Sequence, residues 1–286
     1  MPEISTARPS PIAGRWYEGD PVRLAEEIDR YLAGAKLPVL DGEVVGVIAP
    51  HAGHIYSGET AGYAFSAVKG KSLPLVAVLS PLHSYHFTSF LTTAHSAYRT
   101  PLGDIDVDEE MVGTLEGKLH AKGIELTHIA YDQEHSLEIE LPFLQRALDG
   151  DFKLLPLMVR SNDPAELETL AGVLADLLAE KPCLLVASTD LSHFHSEARA
   201  DKLDSEMLRE VEAFSPEGVL QAEKSGKGSA CGAGAVAAVL WACKKLGATR
   251  VQVLHHSTSG KTTGDHDSVV GYGAAAILKQ RNDRPS

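Results

Sequence analysis

Three histidines, His51, His83 and His193, each come shortly after an apolar run that is typical of a buried strand. In α/β folds, binding and catalytic sites form where strands end. Imidazole is also the most common neutral metal ligand among side chains. A single histidine in a loop is explained well enough by a hydrogen bond to the backbone. Three in equivalent positions favour a shared site, since loops on a rigid scaffold carry function disproportionately. We therefore expect these loops to converge on one metal ion.

A cysteine lies in a glycine-rich segment, Gly-Ser-Ala-Cys-Gly-Ala-Gly at 228–234, which opens a predicted helix. The positive end of a helix dipole lowers the pKa of a nearby thiol and favours the thiolate. Cys231 is therefore the candidate nucleophile or soft metal ligand, whereas Cys183 and Cys243 are expected to be small core residues. The spacing of the three cysteines predicts neither a disulfide framework nor a zinc ribbon.

Two acidic residues lie near the candidate histidines in sequence. Ligating imidazoles are usually oriented by a hydrogen-bond acceptor, and Asp190 and Glu134 are candidates for that role. We expect His193, assisted by Asp190, to act as an acid–base group; a buried pair that merely satisfies a core histidine is the alternative. His135 either lines the site or belongs to a helix start capped by Ser136. The catalytic candidates are thus His193, Asp190, His135 and Glu134.

These residues must be positioned by alternating strands and helices. The expected strands are 44–49, 75–80, 152–159, 183–188, 251–255 and 269–278. The expected helices are 58–69, 108–121, 136–148, 164–180, 197–214, 216–224 and 232–246. Strands that are apolar throughout and separated by helices predict an α/β sandwich with a central, mostly buried sheet flanked by helices. Residues 87–95 and 104–107 are expected to add a hairpin or edge strands, with a turn at 98–103.

Composition limits the function classes. The chain has 286 residues, of which 44% are hydrophobic and 23% charged, and its formal net charge is −13. We expect one domain over 1–286, with a peripheral arm at 1–20 and a peripheral tail at 281–286. The acidic balance argues against nucleic acid and anionic membranes as partners. We expect a cytoplasmic protein, because neither a signal peptide nor a membrane span is evident.

Several short motifs occur in a fixed order along the chain. They are Gly-Arg-Trp-Tyr at 14–17, Ala-Pro-His-Ala-Gly at 49–53, Tyr-Arg-Thr-Pro-Leu at 98–102, Glu-His-Ser at 134–136, Ser-Thr-Asp-Leu-Ser-His at 188–193 and Cys-Gly at 231–232. This arrangement resembles the Memo family, whose prokaryotic members are often called AmmeMemoRadiSam system protein B. The resemblance covers nearly the whole chain.

The resemblance implies a fold similar to class III (LigB-like) extradiol dioxygenases, which open catechol rings at a non-haem iron. It also implies that His51, His83 and Cys231 hold a metal, with His193 beside them. The dioxygenases use two histidines and a carboxylate, so a cysteine in the third position departs from their pattern. A soft thiolate favours copper, zinc or a differently tuned iron. Iron or copper is therefore expected, with zinc possible.

Three classes of function remain open at this point. A metal-dependent redox enzyme would bind a small aromatic or oxygen species, with His193 as acid or base. A non-enzymatic protein would hold a peptide or another partner segment in the same pocket. A hydrolase would use Cys231 to attack a carbonyl. The expected partner is a small molecule or a peptide, and the family resemblance adds a radical-SAM protein system.

Overall fold

The computed structural model of this chain describes residues 6–280, so the expected tail at 281–286 and the first five residues of the expected arm lie outside it. The strands are β1 (Ala7–Arg8), β2 (Glu43–Ala49), β3 (Leu75–Pro81), β4 (Phe90–Thr93), β5 (Ala97–Thr100), β6 (Gly103–Asp106), β7 (Leu126–Ile129), β8 (Lys153–Val159), β9 (Cys183–Ser188), β10 (His193–His195), β11 (Arg250–Thr258) and β12 (Val269–Lys279). The helices are α1 (Pro21–Gly34), α2 (His54–Ser66), α3 (Glu109–His120), α4 (Leu141–Ala147), α5 (Pro164–Leu178), α6 (Glu197–Glu212), α7 (Pro216–Ser225), α8 (Ala233–Lys245) and α9 (Gly260–Thr263).

The central sheet has nine strands within the described residues. β2, β9, β3 and β8 lie side by side in that order and run parallel. β12 pairs antiparallel with β2 and β11, while β4 and β7 continue the sheet beyond β8. Because parallel strands end at the same edge, the segments that follow Ala49, Pro81 and Ser188 come together there.

Helices flank this sheet and bury its apolar strands. α8 packs against β9, β3 and β2, and it also contacts α5 and α7. A second group, α1, α2 and α4, packs together, with α2 against β2 and β12. Every residue of β3 is buried. The predicted α/β sandwich with a mostly buried sheet is confirmed. Among the described residues, no helix combines the length and the apolar character that crossing a lipid bilayer requires.

The leucine-rich segment at 136–148 differs from the single helix expected. Residues Glu138–Glu140 form a 3₁₀ turn, and α4 begins only at Leu141. Pro142 lies in the first turn of α4, the one place where a helix tolerates a missing backbone donor. Ser136 does not cap this helix, because its Oγ donates to Pro81 O at 2.9 Å.

The expected turn at 98–103 was assigned too widely. Residues Ala97–Thr100 form β5, which pairs antiparallel with β6, so the turn is reduced to residues 101–102. Leu102 N donates to Thr100 Oγ1 at 3.1 Å, which lets a two-residue connection reverse the chain. β4, from the expected segment 87–95, pairs with β7 and β8 in the central sheet instead of joining this hairpin.

The arm at 1–20 is not peripheral in the part that the structure describes. Ile12 and Tyr17 are buried in the core, and β1 pairs with β5. Arg8 is 1% exposed and forms ion pairs with Asp132 and Glu138. A buried guanidinium is tolerated only when it is paired, and these partners supply the pairing. The arm is therefore fastened to the molecule by charge as well as by packing.

Candidate functional site

The segments after β2, β3 and β9 surround a cavity of ≈ 500 Å³ at one edge of the sheet. Its lining includes His51, His83, His135, Asp190 and His193. Aromatic and aliphatic side chains form most of the remaining wall. A concave site with a few convergent polar groups in an apolar lining is the usual form of a small-molecule pocket.

The structure brings the three predicted metal ligands together. One ring nitrogen from each of His51 and His83 and the Sγ of Cys231 all lie within 4.8 Å of one another. Sγ is 3.1 Å from His51 Nε2. The two imidazole rings meet edge to face, with centroids 5.3 Å apart. Two imidazole nitrogens and a thiol so arranged are a donor set that copper, zinc and iron accept. Their role as ligands stays a prediction.

Cys231 reaches this cluster because Gly232 lets its loop lie against the end of β9. A Cβ atom on Gly232 would be 2.4 Å from Ser188 O, closer than real Cβ contacts come. Two hydrogen bonds fasten the loop: Cys231 N donates to Asp190 O at 3.2 Å, and Gly232 N donates to Thr189 Oγ1 at 2.9 Å. The loop is therefore held against the segment that follows β9.

The expectation that the helix start lowers the pKa of the Cys231 thiol is wrong for the metal-free protein. Burial of the sulfur raises this pKa, and the nearby Asp190 carboxyl raises it further. The residue as a whole is exposed, but Sγ is packed against His51 and the backbone of Asp190, and the surroundings of the sulfur decide its pKa. Desolvation thus outweighs the helix dipole, although a coordinating cation deprotonates a thiol outright.

Glu134 orients His83. Its carboxylate accepts hydrogen bonds from His83 Nδ1 at 2.8 Å and His83 N at 2.6 Å, and from the backbone N–H groups of His135 and Ser136 at 3.0 Å. Burial is the largest influence on the Glu134 carboxyl and opposes its ionisation, but the hydrogen bond and charge of His83 and the backbone N–H bonds together outweigh it and lower the pKa. The same bond raises the pKa of His83. With Nδ1 engaged, His83 presents Nε2 as its free donor atom.

His51 is oriented by a serine rather than by a carboxylate. Its Nδ1 is 2.9 Å from Ser188 Oγ, and its Nε2 faces Cys231. The ring is almost fully buried, and burial holds the pKa of His51 well below its usual range. The neighbouring rings of His135 and His83 add to this effect. A neutral imidazole with one free nitrogen is the form that binds metals.

Asp190, which was expected to assist His193, engages other partners. No hydrogen bond joins these two side chains among the described residues. Asp190 Oδ1 instead accepts from the backbone N–H groups of His51 at 2.7 Å and Ala52 at 3.2 Å, while burial raises the pKa of its carboxyl to about 7. His193 Nδ1 donates to Leu191 O at 2.9 Å, so its neutral ring keeps a free Nε2. Asp190 holds the loop after β2, and His193 lies in the cavity wall without a carboxylate hydrogen-bond partner in the described part of the chain.

His135 lines the cavity, and sequence reasoning missed the aromatic residue beside it. Trp16 stacks obliquely on His135 with ring centroids 4.1 Å apart, and His135 in turn stacks on His83 at 4.7 Å. Burial lowers the pKa of His135 to about 4, so its ring is neutral at pH 7. The Gly-Arg-Trp-Tyr motif at 14–17 was the available signal for Trp16, which forms part of an apolar wall next to the proposed ligands.

The sequence analysis also did not identify Arg8, which supports the loop that carries Glu134. Its guanidinium donates to Asp132 Oδ1 at 2.7 Å, to Glu138 Oε2 at 2.5 Å and to Glu134 O at 2.7 Å. Tyr17 donates to Glu138 Oε1 at 2.7 Å. The N-terminal arm therefore holds both ends of the segment from 132 to 138, which orients His83.

Comparisons with known proteins agree on one family. A family model described as Memo-like protein matches residues 8–276. A protein of Nitrosopumilus maritimus named as a MEMO1 family protein is 33% identical over 272 residues, which are 93% of this chain and 98% of that protein. Relatives of the same name are 32% identical in Methanosarcina mazei, over 93% of this chain and 97% of the relative, and in Methanopyrus kandleri, over 94% and 98%.

Proposed function

The chain belongs to the Memo family, and from this premise we propose that it is a metal-dependent redox enzyme acting on a small molecule. In this proposal His51, His83 and Cys231 hold iron or copper, and zinc suits the same donors. The observation that carries the proposal is the convergence of these three side chains within 4.8 Å of one another, with His51 and His83 in the wall of an accessible cavity.

The residues present fit such an ion. The Nδ1 atoms of His51 and His83 are engaged by Ser188 and Glu134, which leaves an Nε2 lone pair on each ring. The backbone N–H of Asp190 donates to Cys231 Sγ at 3.3 Å, and hydrogen bonds to a ligating sulfur tune its metal. Three protein ligands leave at least one position of a four-coordinate ion open, which is typical of reactive rather than structural sites.

When bound, iron or copper would supply an open coordination position and a change of redox state. The chain's own groups would do the rest. His193 Nε2 would take or give a proton at the cavity wall, since its Nδ1 donates to Leu191 O. Trp16 offers an apolar face against which a planar substrate can stack, and the half-exposed Tyr56 lines the same cavity. Glu134 keeps His83 oriented throughout.

A second candidate function rests on the 3.1 Å contact between Cys231 Sγ and His51 Nε2, which is also the geometry of a thiol nucleophile and its base. Burial opposes it, because it raises the pKa of the thiol and lowers that of the imidazole. The ion pair that activates such a nucleophile is therefore disfavoured. A peptide-binding role for the pocket and a radical-SAM protein partner also stay proposals.

Metal analysis of protein purified without oxygen tests the proposal. We expect stoichiometric iron or copper in the wild type, loss of most of it in Cys231→Ser, and full retention in Cys183→Ser, a matched control at the opposite end of β9. A metal-free wild type that binds a peptide would instead support the binding role. Stoichiometric acylation of Cys231 by a reactive ester, prevented by His51→Ala, would support the hydrolase.

A further inference from the structure

The hydroxyl of Ser188 has three hydrogen-bond neighbours inside the protein. Its Oγ lies 2.7 Å from Ser136 O, 2.7 Å from Glu140 Oε1 and 2.9 Å from His51 Nδ1. Ser188, Ser136 and Glu140 are fully buried, and His51 is 1% exposed. A hydroxyl brings one proton and two lone pairs to such a cluster. The positions of the other protons follow from that count.

Ser136 O is a carbonyl and only accepts. If Glu140 were ionised, its Oε1 would also only accept, and two oxygens would compete for the single Ser188 proton. One of them would then lie 2.7 Å from Ser188 Oγ without a hydrogen between them. A protonated Glu140 removes the conflict, because its O–H donates to Ser188 Oγ while the Ser188 O–H donates to Ser136 O. The remaining lone pair of Ser188 then accepts from His51 Nδ1.

We infer that Glu140 is a neutral carboxylic acid that acts through Ser188 as a positioning residue, locking His51 in the Nδ1–H tautomer with its Nε2 lone pair toward Cys231. The inference concerns this chain's own protons, and only its consequence for metal binding rests on the proposed function.

Three further observations agree with a neutral Glu140. Its Oε2 is buried without a hydrogen-bond partner among the described residues, which costs much more for a carboxylate than for an acid. None of the basic side chains in the described part of the chain forms an ion pair with it. Burial raises its pKa well above the usual range, the bond to Ser188 opposes this, and the nearby Asp190 carboxyl raises it further.

Infrared difference spectroscopy on metal-free protein at neutral pH tests the proton on Glu140 directly. We expect the wild type minus Glu140→Gln spectrum to show the C=O stretch of a protonated, buried carboxylic acid. Glu206→Gln, which removes a partly exposed carboxyl paired with Arg209, should show only carboxylate bands. A Glu140→Gln difference that contains carboxylate bands alone would overturn the inference.

The tautomer has its own readout in the wild type. The ¹⁵N shifts of His51, assigned by their loss in His51→Gln, should report a protonated Nδ1 and an unprotonated Nε2 without metal. A His51 ring protonated at Nε2 in the metal-free wild type would overturn the inference even if the Glu140 and Ser188 variants failed to fold.

Metal titrations then separate positioning from charge. Glutamine can still donate to Ser188, so Glu140→Gln should bind copper within about twofold of the wild type. Glu140→Leu and Ser188→Ala should each lose about 10- to 100-fold in affinity, as expected when a ligand's hydrogen-bond support is removed. Equal losses in Glu140→Gln and Glu140→Leu would indicate a needed negative charge and contradict a neutral acid. Absence of metal binding in the wild type would refute the proposed function, and the infrared and ¹⁵N results would still decide the inference.

Discussion

Replacement of Gly232 by alanine tests whether the close approach of the Cys231 loop to β9 builds the site. The new Cβ would lie 2.4 Å from Ser188 O and 2.8 Å from Thr189 Cβ, whereas ordinary contact begins at 3.4 Å. The loop must therefore retreat by 3.4 − 2.4 = 1.0 Å against backbone that cannot give way easily. The φ of Gly232 is −102°, which alanine adopts freely, so the whole effect is steric.

We expect Gly232→Ala to lower the free energy of unfolding by about 1–3 kcal/mol, the range for overpacking a well-packed site. Because Cys231 moves with the loop, affinity for copper or zinc should fall by about 10- to 100-fold, a loss similar to that caused by removing a ligand's support. Urea unfolding followed by circular dichroism and a competitive metal titration measure the two quantities.

Gly172→Ala is the matched control, since nothing lies within 4 Å of its missing Cβ in the middle of α5. That change should raise stability by about 0.5–1 kcal/mol through helix propensity and leave metal affinity unchanged. If Gly232→Ala proved as stable as the wild type and bound metal equally well, the steric account of how Cys231 is placed would be refuted.

Three further predictions concern stability. Arg8→Met should lower the free energy of unfolding by about 3–5 kcal/mol, because it leaves two buried carboxylates without their cation. Arg146→Met, which removes an exposed ion pair, should lower it by at most about 1 kcal/mol. Urea unfolding compares the two variants, and equal losses would contradict the account. The unfolded carboxyl of Glu140 has a pKa near 4.5 and the folded one a higher pKa, so the native state holds the extra proton. The stability of the wild type relative to Glu140→Gln should therefore fall as pH rises from 5 to 8, by up to about 1.4 kcal/mol per pH unit. Parallel plots of stability against pH for the two proteins would be evidence against a neutral Glu140. Phe194 is 75% exposed and has a φ of 60°. Phe194→Gly should be about 0.5 kcal/mol more stable than the wild type, since glycine adopts left-handed φ without strain. Phe214→Gly, at a buried position with a φ of 54°, should instead be less stable than the wild type. Thermal melting that showed a change of the same sign in both variants would refute the explanation.

Sequence patterns predicted the convergence of the loops that carry His51 and His83 because it depends on topology, whereas the expectation that Cys231 joins them came from the family resemblance. Apolar runs separated by helices predict parallel strands, and the ends of parallel strands meet at one edge of the sheet. Only the segment that follows each strand then has to be identified. The motif residues did that for His51 and His83, so the proximity of these two followed without any knowledge of side-chain packing.

The contacts that the sequence did not reveal depend on partners far away in the chain. Arg8 donates a hydrogen bond to Asp132, which is 124 residues away in the chain, and no local sequence pattern predicts that pairing. Asp190 was expected to serve His193, but its carboxyl accepts backbone N–H groups from the loop after β2. The direction of the Cys231 pKa shift was predicted wrongly. A helix start can be recognised in the sequence, but the burial of the sulfur that outweighs the helix dipole cannot.

α1 was missed although its signals were present. Asp20 caps it by accepting from Val22 N and Arg23 N, and Pro21 occupies the first turn. The buried positions are Leu24, Ile28 and Leu32, a spacing of four residues that places them on one face. The charged residues between them lower the mean hydropathy of the segment, so only its periodicity indicates a helix.

The central claim is that Cys231 and the two histidines hold one metal ion. Optical titration of the metal-free protein with Cu²⁺ tests it most directly, because a thiolate bound to copper gives a charge-transfer band that imidazole alone does not. We expect one equivalent of copper to produce this band in the wild type and in Cys183→Ser, and no such band in Cys231→Ser. Identical spectra and affinities in the wild type and Cys231→Ser would contradict the account.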